Sequence, residues 1–591
     1  MVYTHAALCE SMRLYPPVPF DTKEAIDNDV LPDGIVVKKG VRVSYHPYVM
    51  GRGQRLAGFS TGEMVREGPN CRKMEFHGKR LVHYKVVPTA EEGWKPVFNS
   101  YLTSKMEGGS LGKASPSSQV AKLPRSYPLI GSSFAIFANR NRRNQWFAEI
   151  LRNTPTGSFV LHRPFGAHQI FTANPTNVQH ILKTQFHLYP KGDFFRTTLS
   201  DFLGDGIFNV DGETWKFQRQ VSSHEFNTKS LRKFVETVVE TELSDRLLPI
   251  LSAAAAEKSV LDLQDILQRF AFDNICTIAF GFDPKYLLPS LPPTEFAVAF
   301  EDAVRLSTER LYAIFPTIWK VKRVLGLGSE KDLRQAVSQV RQFAENIVRE
   351  KKEELKEKSS LETVDLLSRI LNSGHLDENF VIDIVISFIL AGRDTTSAAL
   401  TWFFWLISGN PDAEEEILKE IRDGPEAPVY DEVKDMVYTH AALCESMRLY
   451  PPVPSDTKEA AGDDVLPDGI VVKKGARVTY HPYAMGRMEG LWGGDWSEFR
   501  PERWLQRDPV AGKWSFVGRD WYTYTVFQAG PRICIGKDMA FLQMKRVVSG
   551  VLRQYRVVPA TEEGFKPVFI SYLTSKMKGG FPVRIEERAE S

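Results

Sequence analysis

Cysteine is scarce: five residues in 591 (Cys9, Cys71, Cys276, Cys444 and Cys534), with no CxxC pair among them. So few, so scattered, exclude a disulfide framework or a structural zinc cluster, and any cysteine that matters must act singly. An excess of one charge is missing too. Lys and Arg number 75 against 73 Asp and Glu, a net of +2, so nucleic acid is not an expected partner. A long uncharged apolar run is the third absence. The best candidate, Val381 to Leu406, is interrupted by Asp383, Arg393 and Asp394, whereas a bilayer core takes about 20 largely uncharged residues. It reads as a buried helix of a soluble domain. Met1 is followed by VYTHAALCESMR, polar where a signal peptide or anchor needs continuous apolar sequence, so no transmembrane anchor is expected there. What remains, 43% hydrophobic, 11% aromatic and 25% charged, suits a globular protein with a sizeable core.

The chain repeats part of itself. Met1 to Pro19 is identical to Met436 to Pro454, Leu31 to Gly40 recurs as Leu466 to Gly475, and the stretch from Tyr84 parallels that from Tyr555. Copies this far apart do not make a solenoid, whose units must touch to bury each other's faces. The reading is a partial duplicate over 1–107, a Gly- and Ser-rich flexible linker over 108–121, and a complete domain over 122–591. The duplicate, which has few intrachain partners for its apolar faces, is expected to be poorly packed, the product of tandem duplication or of a fusion.

Periodicity over the complete domain predicts helices at Lys229–Leu248, Leu261–Phe280, Glu330–Lys358, Phe380–Ser408 and Asp412–Arg422, the last started by Asn410-Pro411. Strand patterns come late, at Gly469–Lys473, Ala476–Tyr480, Arg556–Pro559 and Val568–Thr574. The fold class is therefore mainly α with a small β portion.

Cys534 carries the chemistry. It lies in Phe527-Gln528-Ala529-Gly530-Pro531-Arg532-Ile533-Cys534-Ile535-Gly536, just before the helical pattern KDMAFLQMKRVV. Backbone N–H groups and a helix N-terminus favour a thiolate, and a thiolate is an iron ligand. Gly530 and Gly536 let the backbone approach the sulfur, Phe527 shields one side, and Arg532 suits a carboxylate of the bound group. Taken alone, a loop cysteine is a small buried hydrophobe. The whole pattern, FxxGxRxCxG, resembles the heme-thiolate signature of the cytochrome P450 superfamily.

Four further patterns follow the superfamily's order along the chain. Ala391-Gly392-Arg393-Asp394-Thr395-Thr396 is similar to the oxygen-activation motif. There the small Ala391 and Gly392 admit a flat macrocycle and dioxygen, and Asp394 and Thr395 relay protons. Glu445 and Arg448 form ExxR, followed by Tyr450-Pro-Pro-Val-Pro454. Pro501-Glu502-Arg503-Trp504 resembles PERF with Trp for Phe; the resemblance makes Glu445, Arg448 and Arg503 a structural lock that positions the heme loop. Trp215 and Arg219 match WxxxR and share a helical face from which indole N–H and guanidinium reach a heme propionate.

The resemblance covers about Lys122 to the C-terminus and implies a cytochrome P450 fold with heme b (iron protoporphyrin IX) between the long central helix and the cysteine loop. It implies a monooxygenase drawing NADPH electrons through NADPH–cytochrome P450 reductase, at the endoplasmic reticulum membrane, with a membrane surface as a further contact. FLGDGIFNVDGETWKFQRQVSSHEF, FILAGRDTTSAALTWFFWL and YHPYAMGR resemble the plant fatty-acid ω-hydroxylase branch, jasmonoyl-isoleucine hydroxylases included. Phe194, Phe195, Phe202, Leu203 and Val453 are candidates to line an acyl tunnel. The first copy keeps Glu10 and Arg13 but nothing equivalent to Phe527–Gly536, so Cys71 is expected to ligate nothing. The alternative of another class is a catalytically impaired heme-binding protein, blocked by the added fragment.

Overall fold

The computed structural model describes residues 123–588, with breaks at 224–232, 293, 358–364, 374–376, 423, 425–429, 511 and 563, and before them only five short strands between Asp21 and Val82. The junction expected at 108–121 and the Cys71 region lie outside the described residues. The chain divides into two compact units, Met1–Pro96 and Val97–Ser591.

In the first unit, Asp21–Glu24 pairs antiparallel with Arg42–Tyr45, Asp21 facing Tyr45 and Glu24 facing Arg42. Asp29–Val30 pairs with Val36–Val37 inside that hairpin.

The second unit is mainly helical. Its long central helix runs as Glu378–Ile389, a wide π-type turn at Leu390–Asp394, and Thr395–Ser408. Its first part, Val381 to Leu390, belongs to one apolar core with Phe202, Phe300 and Val340. Its last part, Ala399 to Ile407, belongs to another with Phe147, Ala442 and Val547. Burying an apolar side chain of this size contributes roughly 1.5–3 kcal/mol, which is why so apolar a sequence is stable as a buried helix. No helix among the described residues is long and apolar enough to cross a membrane.

Most predicted elements appear, displaced at their ends for local reasons. Leu261–Asp262 is a short strand, and Asp262 then caps the helix Leu263–Phe280 by accepting from the N–H groups of Gln264 (3.0 Å) and Asp265 (3.4 Å). Helices Ser329–Glu357 and Pro411–Arg422 follow the pattern. The side-chain amide of Asn410, before the second of these, donates back to the Leu406 carbonyl (2.6 Å) and closes the preceding helix. The start of the pattern at Lys229–Leu248 lies outside the described residues, and the rest runs through wide turns at Phe234–Val239 and Leu243–Leu247 into a helix ending at Glu257. Val568–Thr574 is not one strand: Phe569–Ser571 turns back to pair with Ser575–Met577.

The principal sheet has four strands, in the order Ser158–His162, His168–Thr172, Arg477–Tyr480, Asp456–Glu459. Arg477–Tyr480 runs parallel to His168–Thr172 and antiparallel to Asp456–Glu459, with Asp456 facing Tyr480 and Glu459 facing Arg477.

Candidate active site

A cavity of about 390 Å³ lies between the central helix and the cysteine loop. Ala391, Gly392 and Thr395 form part of one wall, and Phe527, Cys534 and Gly536 part of another. Trp215, Arg219 and Arg532 also border it.

The loop is shaped by backbone constraints. Gln528 (φ 60°) and Gly530 (φ +66°) both take left-handed conformations. At Gly530 a Cβ would lie 2.1 Å from the Leu182 carbonyl oxygen, so only glycine fits. Cys534 N–H donates to Phe527 O (2.9 Å), closing the turn that presents the sulfur. Gly536 then precedes the helix Lys537–Gln554. Cys534 is accessible from the cavity yet enclosed by protein elsewhere. Burial pushes its thiol up in the protein alone, against the pull of the Gly536 N–H and the charges of Arg219 and Lys537. The expected thiolate-favouring donors are therefore in place but outweighed by desolvation, and it is a bound metal that would deprotonate the sulfur outright.

Trp215 sits between two cations. The Arg532 guanidinium lies 4.5 Å from its ring centroid and that of Arg219 5.9 Å. Arg219 donates to the Ile533 carbonyl (2.8 Å), tying this helix to the residue before the cysteine. Arg532 donates to Val210 O (2.9 Å) and to the Asp211 carboxylate (2.5 Å).

On the central helix, Thr395 Oγ1 donates to Ala391 O (2.6 Å) at the cavity wall. Asp394 is not among the lining residues. Its carboxylate is buried against Arg393 (2.5 Å) and accepts from Thr574 Oγ1 (3.2 Å), so it stands behind Thr395. Gly392 serves packing as well as access: a Cβ there would meet the Ile275 side chain at 2.4 Å, so its small size lets the helix Leu263–Phe280 come close.

The lock is complete. Glu445, fully buried, accepts from Arg448 Nε (2.7 Å) and Nη2 (2.8 Å), Arg503 Nε (3.0 Å), Arg500 N–H (3.1 Å) and Trp504 Nε1 (3.0 Å). The change of Phe to Trp in the PERF-like segment thus alters more than packing, because the indole supplies a donor that phenylalanine lacks. Arg448 also donates to the carbonyls of Gly486, Trp496 (2.8 Å) and Glu498 (3.1 Å).

Of the proposed tunnel residues, Phe194, Phe195, Leu203 and Val453 line the cavity. Phe202 does not. It is wholly buried one helical turn away, edge-on to Phe300 at 5.5 Å, and belongs to the core.

Sequence reasoning missed Asp456. It accepts from Lys191 (2.9 Å), Lys458 (2.9 Å), Tyr480 OH (3.1 Å) and Gln528 of the cysteine loop (2.7 Å). The lysine charges hold its carboxyl far below the usual range despite its burial. The available signal was DTKE: alternate Asp456 and Lys458 share one strand face, and that face is buried. Missed as well were three cavity arginines, Arg143, Arg163 and Arg477.

A single thiol open to an apolar cavity, with guanidinium groups and an indole at its edge, suits a flat, anionic, metal-centred macrocycle, and the residues present fit heme. The cytochrome P450 family model matches residues 1–56 and 122–580. Among curated relatives, cytochrome P450 94A2 of Vicia sativa is 66% identical over 470 residues, covering 79% of this chain and 91% of the relative. Cytochrome P450 94A1 of Vicia sativa is 62% identical over 469 residues (79% and 91%), and cytochrome P450 94B1 of Arabidopsis thaliana 47% over 480 (81% and 92%).

Proposed function

Since the chain belongs to the cytochrome P450 family and is a heme-dependent monooxygenase that draws NADPH-derived electrons through a reductase, we propose that it hydroxylates fatty acids at or near the methyl end. The observation that carries this reading is the cavity wall: Phe194, Phe195, Leu203 and Val453 give an acyl chain an apolar lining that leads to Thr395 and Cys534.

Heme, when bound, supplies the oxidising power. Cys534 would hold its iron, and Trp215, Arg219 and Arg532 its propionate side. Thr395 carries a hydroxyl at the cavity wall, and Asp394, next to it in sequence and held by Arg393 and Thr574, would join it in relaying protons, the role that the family's motif implies. The apolar wall excludes water and holds the chain end-on, so the terminal carbons meet the reacting centre. The family's usual setting supports a location at the endoplasmic reticulum membrane.

The test is the full-length enzyme with reductase and NADPH against fatty acids of graded length and jasmonoyl-isoleucine, with product positions read by mass spectrometry. Hydroxylation confined to the last carbons of free acids supports the reading. Turnover of the conjugate alone moves the substrate to the jasmonoyl class. Activity that appears only after removal of residues 1–121 makes the full chain the impaired form.

A further inference from the structure

Three arginines border one part of the cavity without a carboxylate to pair with. Arg163, 7% exposed, follows strand Ser158–His162 and spends one Nη2 donor on the Ala313 carbonyl (3.0 Å), while its buried Nε has no partner. The Arg143 guanidinium lies over the Tyr312 ring (3.3 Å from the centroid), and that of Arg477 over Phe194 (4.2 Å). Among the described residues none of the three makes an ion pair. Glu459 faces Arg477 across the strand pair, and one of its oxygens already accepts the Phe194 N–H (3.0 Å).

Such an arrangement is costly as it stands. Buried cations are normally paired, and an orphaned guanidinium N–H forfeits a charge-assisted hydrogen bond. The field is strong enough to show: burial brings Arg163 down to about 9, with Arg477 and Arg143 adding to the fall, and burial brings Arg477 down to about 10 against the opposing charge of Glu459. An anion entering the cavity relieves all of this at once.

Two anions are chemically available, a heme propionate and the carboxylate of an acyl substrate. The sheet favours the second. Tyr480, at the far end of the strand begun by Arg477, bonds Asp456, which holds Gln528 of the cysteine loop. At about 3.3 Å per residue, Arg477 lies about 10 Å further along that strand. Propionates have Trp215, Arg219 and Arg532 on the cysteine side.

We propose that Arg163, Arg143 and Arg477 form the binding site for the substrate's carboxylate, fixing the acyl chain with its acid end away from Cys534 and its methyl end toward it. This rests on the fatty-acyl reading above. It further makes a free acid, rather than an ester or alcohol of the same length, the preferred ligand.

The heme-loaded full-length protein, titrated with dodecanoic acid and with its methyl ester while the heme absorption shift is followed, decides the matter. The acid is expected to bind at least about tenfold more tightly than the ester. Arg163→Gln and Arg477→Gln each weaken the acid by about ten- to a hundredfold and leave the ester within about twofold, with heme content per protein unchanged; Arg163→Lys recovers part of the loss. Equal affinity for acid and ester in the unaltered enzyme overturns the proposal, as does equal weakening of both ligands by the variants. Heme loss in both Gln variants overturns it too, by assigning the arginines to propionates. Should Arg163→Gln alone fail to take up heme, Arg477→Gln and the unaltered enzyme decide. A protein whose spectrum neither ligand moves contradicts the fatty-acyl reading itself, a result distinct from equal binding of the two.

Discussion

Asp21–Tyr45 and Asp456–Tyr480 are near-copies of one sequence, and both make the same nested hairpins: Asp21 faces Tyr45 as Asp456 faces Tyr480, and Asp29 faces Val37 as Asp464 faces Val472. Strand pairing over so short a span is dictated by the turn and the alternation between the strands. The chemistry is not. In the second copy Asp456 is bound by Lys191 and Gln528, and Glu445 by Arg500, Arg503 and Trp504. All of these lie outside the stretches the first copy reproduces. A hairpin can be copied with its sequence; a site cannot, because its parts arrive from distant elements.

The sharpest way to break that contrast is at the cysteines. Cys534→Ser is expected to abolish the thiolate-type band of the reduced carbon monoxide complex and all turnover, while Cys71→Ser leaves both intact; a spectrum changed by the second substitution would mean that the first copy contributes a ligand. Next in size is the lock. Glu445→Gln leaves Arg448 buried without its counter-charge and Arg503 with Asp495 alone, and should destabilise the second unit by about 3–5 kcal/mol in urea unfolding followed by heme absorbance. Glu10→Gln, its counterpart, should leave that transition where it is.

Acid sharpens the comparison further. His440, edge-on to Phe516 (4.5 Å) and tilted against Phe541 (4.1 Å), and His481, wholly buried, are each held down to about 3 by burial. An unfolded chain protonates them near 6.5, so it takes up more protons than the folded one below that pH. Their stabilising contribution is complete above about 6.5 and is lost as pH falls from there toward 3, by about 2 kcal/mol per histidine at pH 5. Denaturation midpoints between pH 7 and 5 should show this slope, His440→Gln or His481→Gln should flatten it, and His5→Gln or His46→Gln should not. The smallest effect belongs to the exposed pair Lys473–Asp463 (2.8 Å): Lys473→Ala should leave stability unchanged within error, as should Lys38→Ala.

Much of the site was legible because its motifs are local and ordered. Helical spacing puts Glu445 beside Arg448, and the glycine-flanked cysteine before a helix is a pattern of the backbone itself. What escaped depended on the direction of side chains after packing. Phe202 and Phe195 look alike in sequence, and only their neighbours make one a core residue and the other a cavity wall. Gly392 reads as space for a ligand until Ile275 is seen against it. Arg143, Arg163 and Arg477 belong to no motif, since one helix and two strands distant in sequence bring them together.

The widened turn at Leu390–Asp394 has one more implication. Such a turn amounts to a single inserted residue in an otherwise regular spiral. Excising one residue there would restore even winding and leave everything downstream close to its present facing, because the wide turn takes up its extra residue locally. Trp402, stacked parallel to Tyr450 at 4.0 Å, would keep that neighbour, while the backbone beside Ala391 and Gly392 at the cavity wall would close into a regular turn. The extra residue therefore shapes only the stretch that faces the cavity, and a shortened chain would lose that widened wall while keeping the phase of its helix.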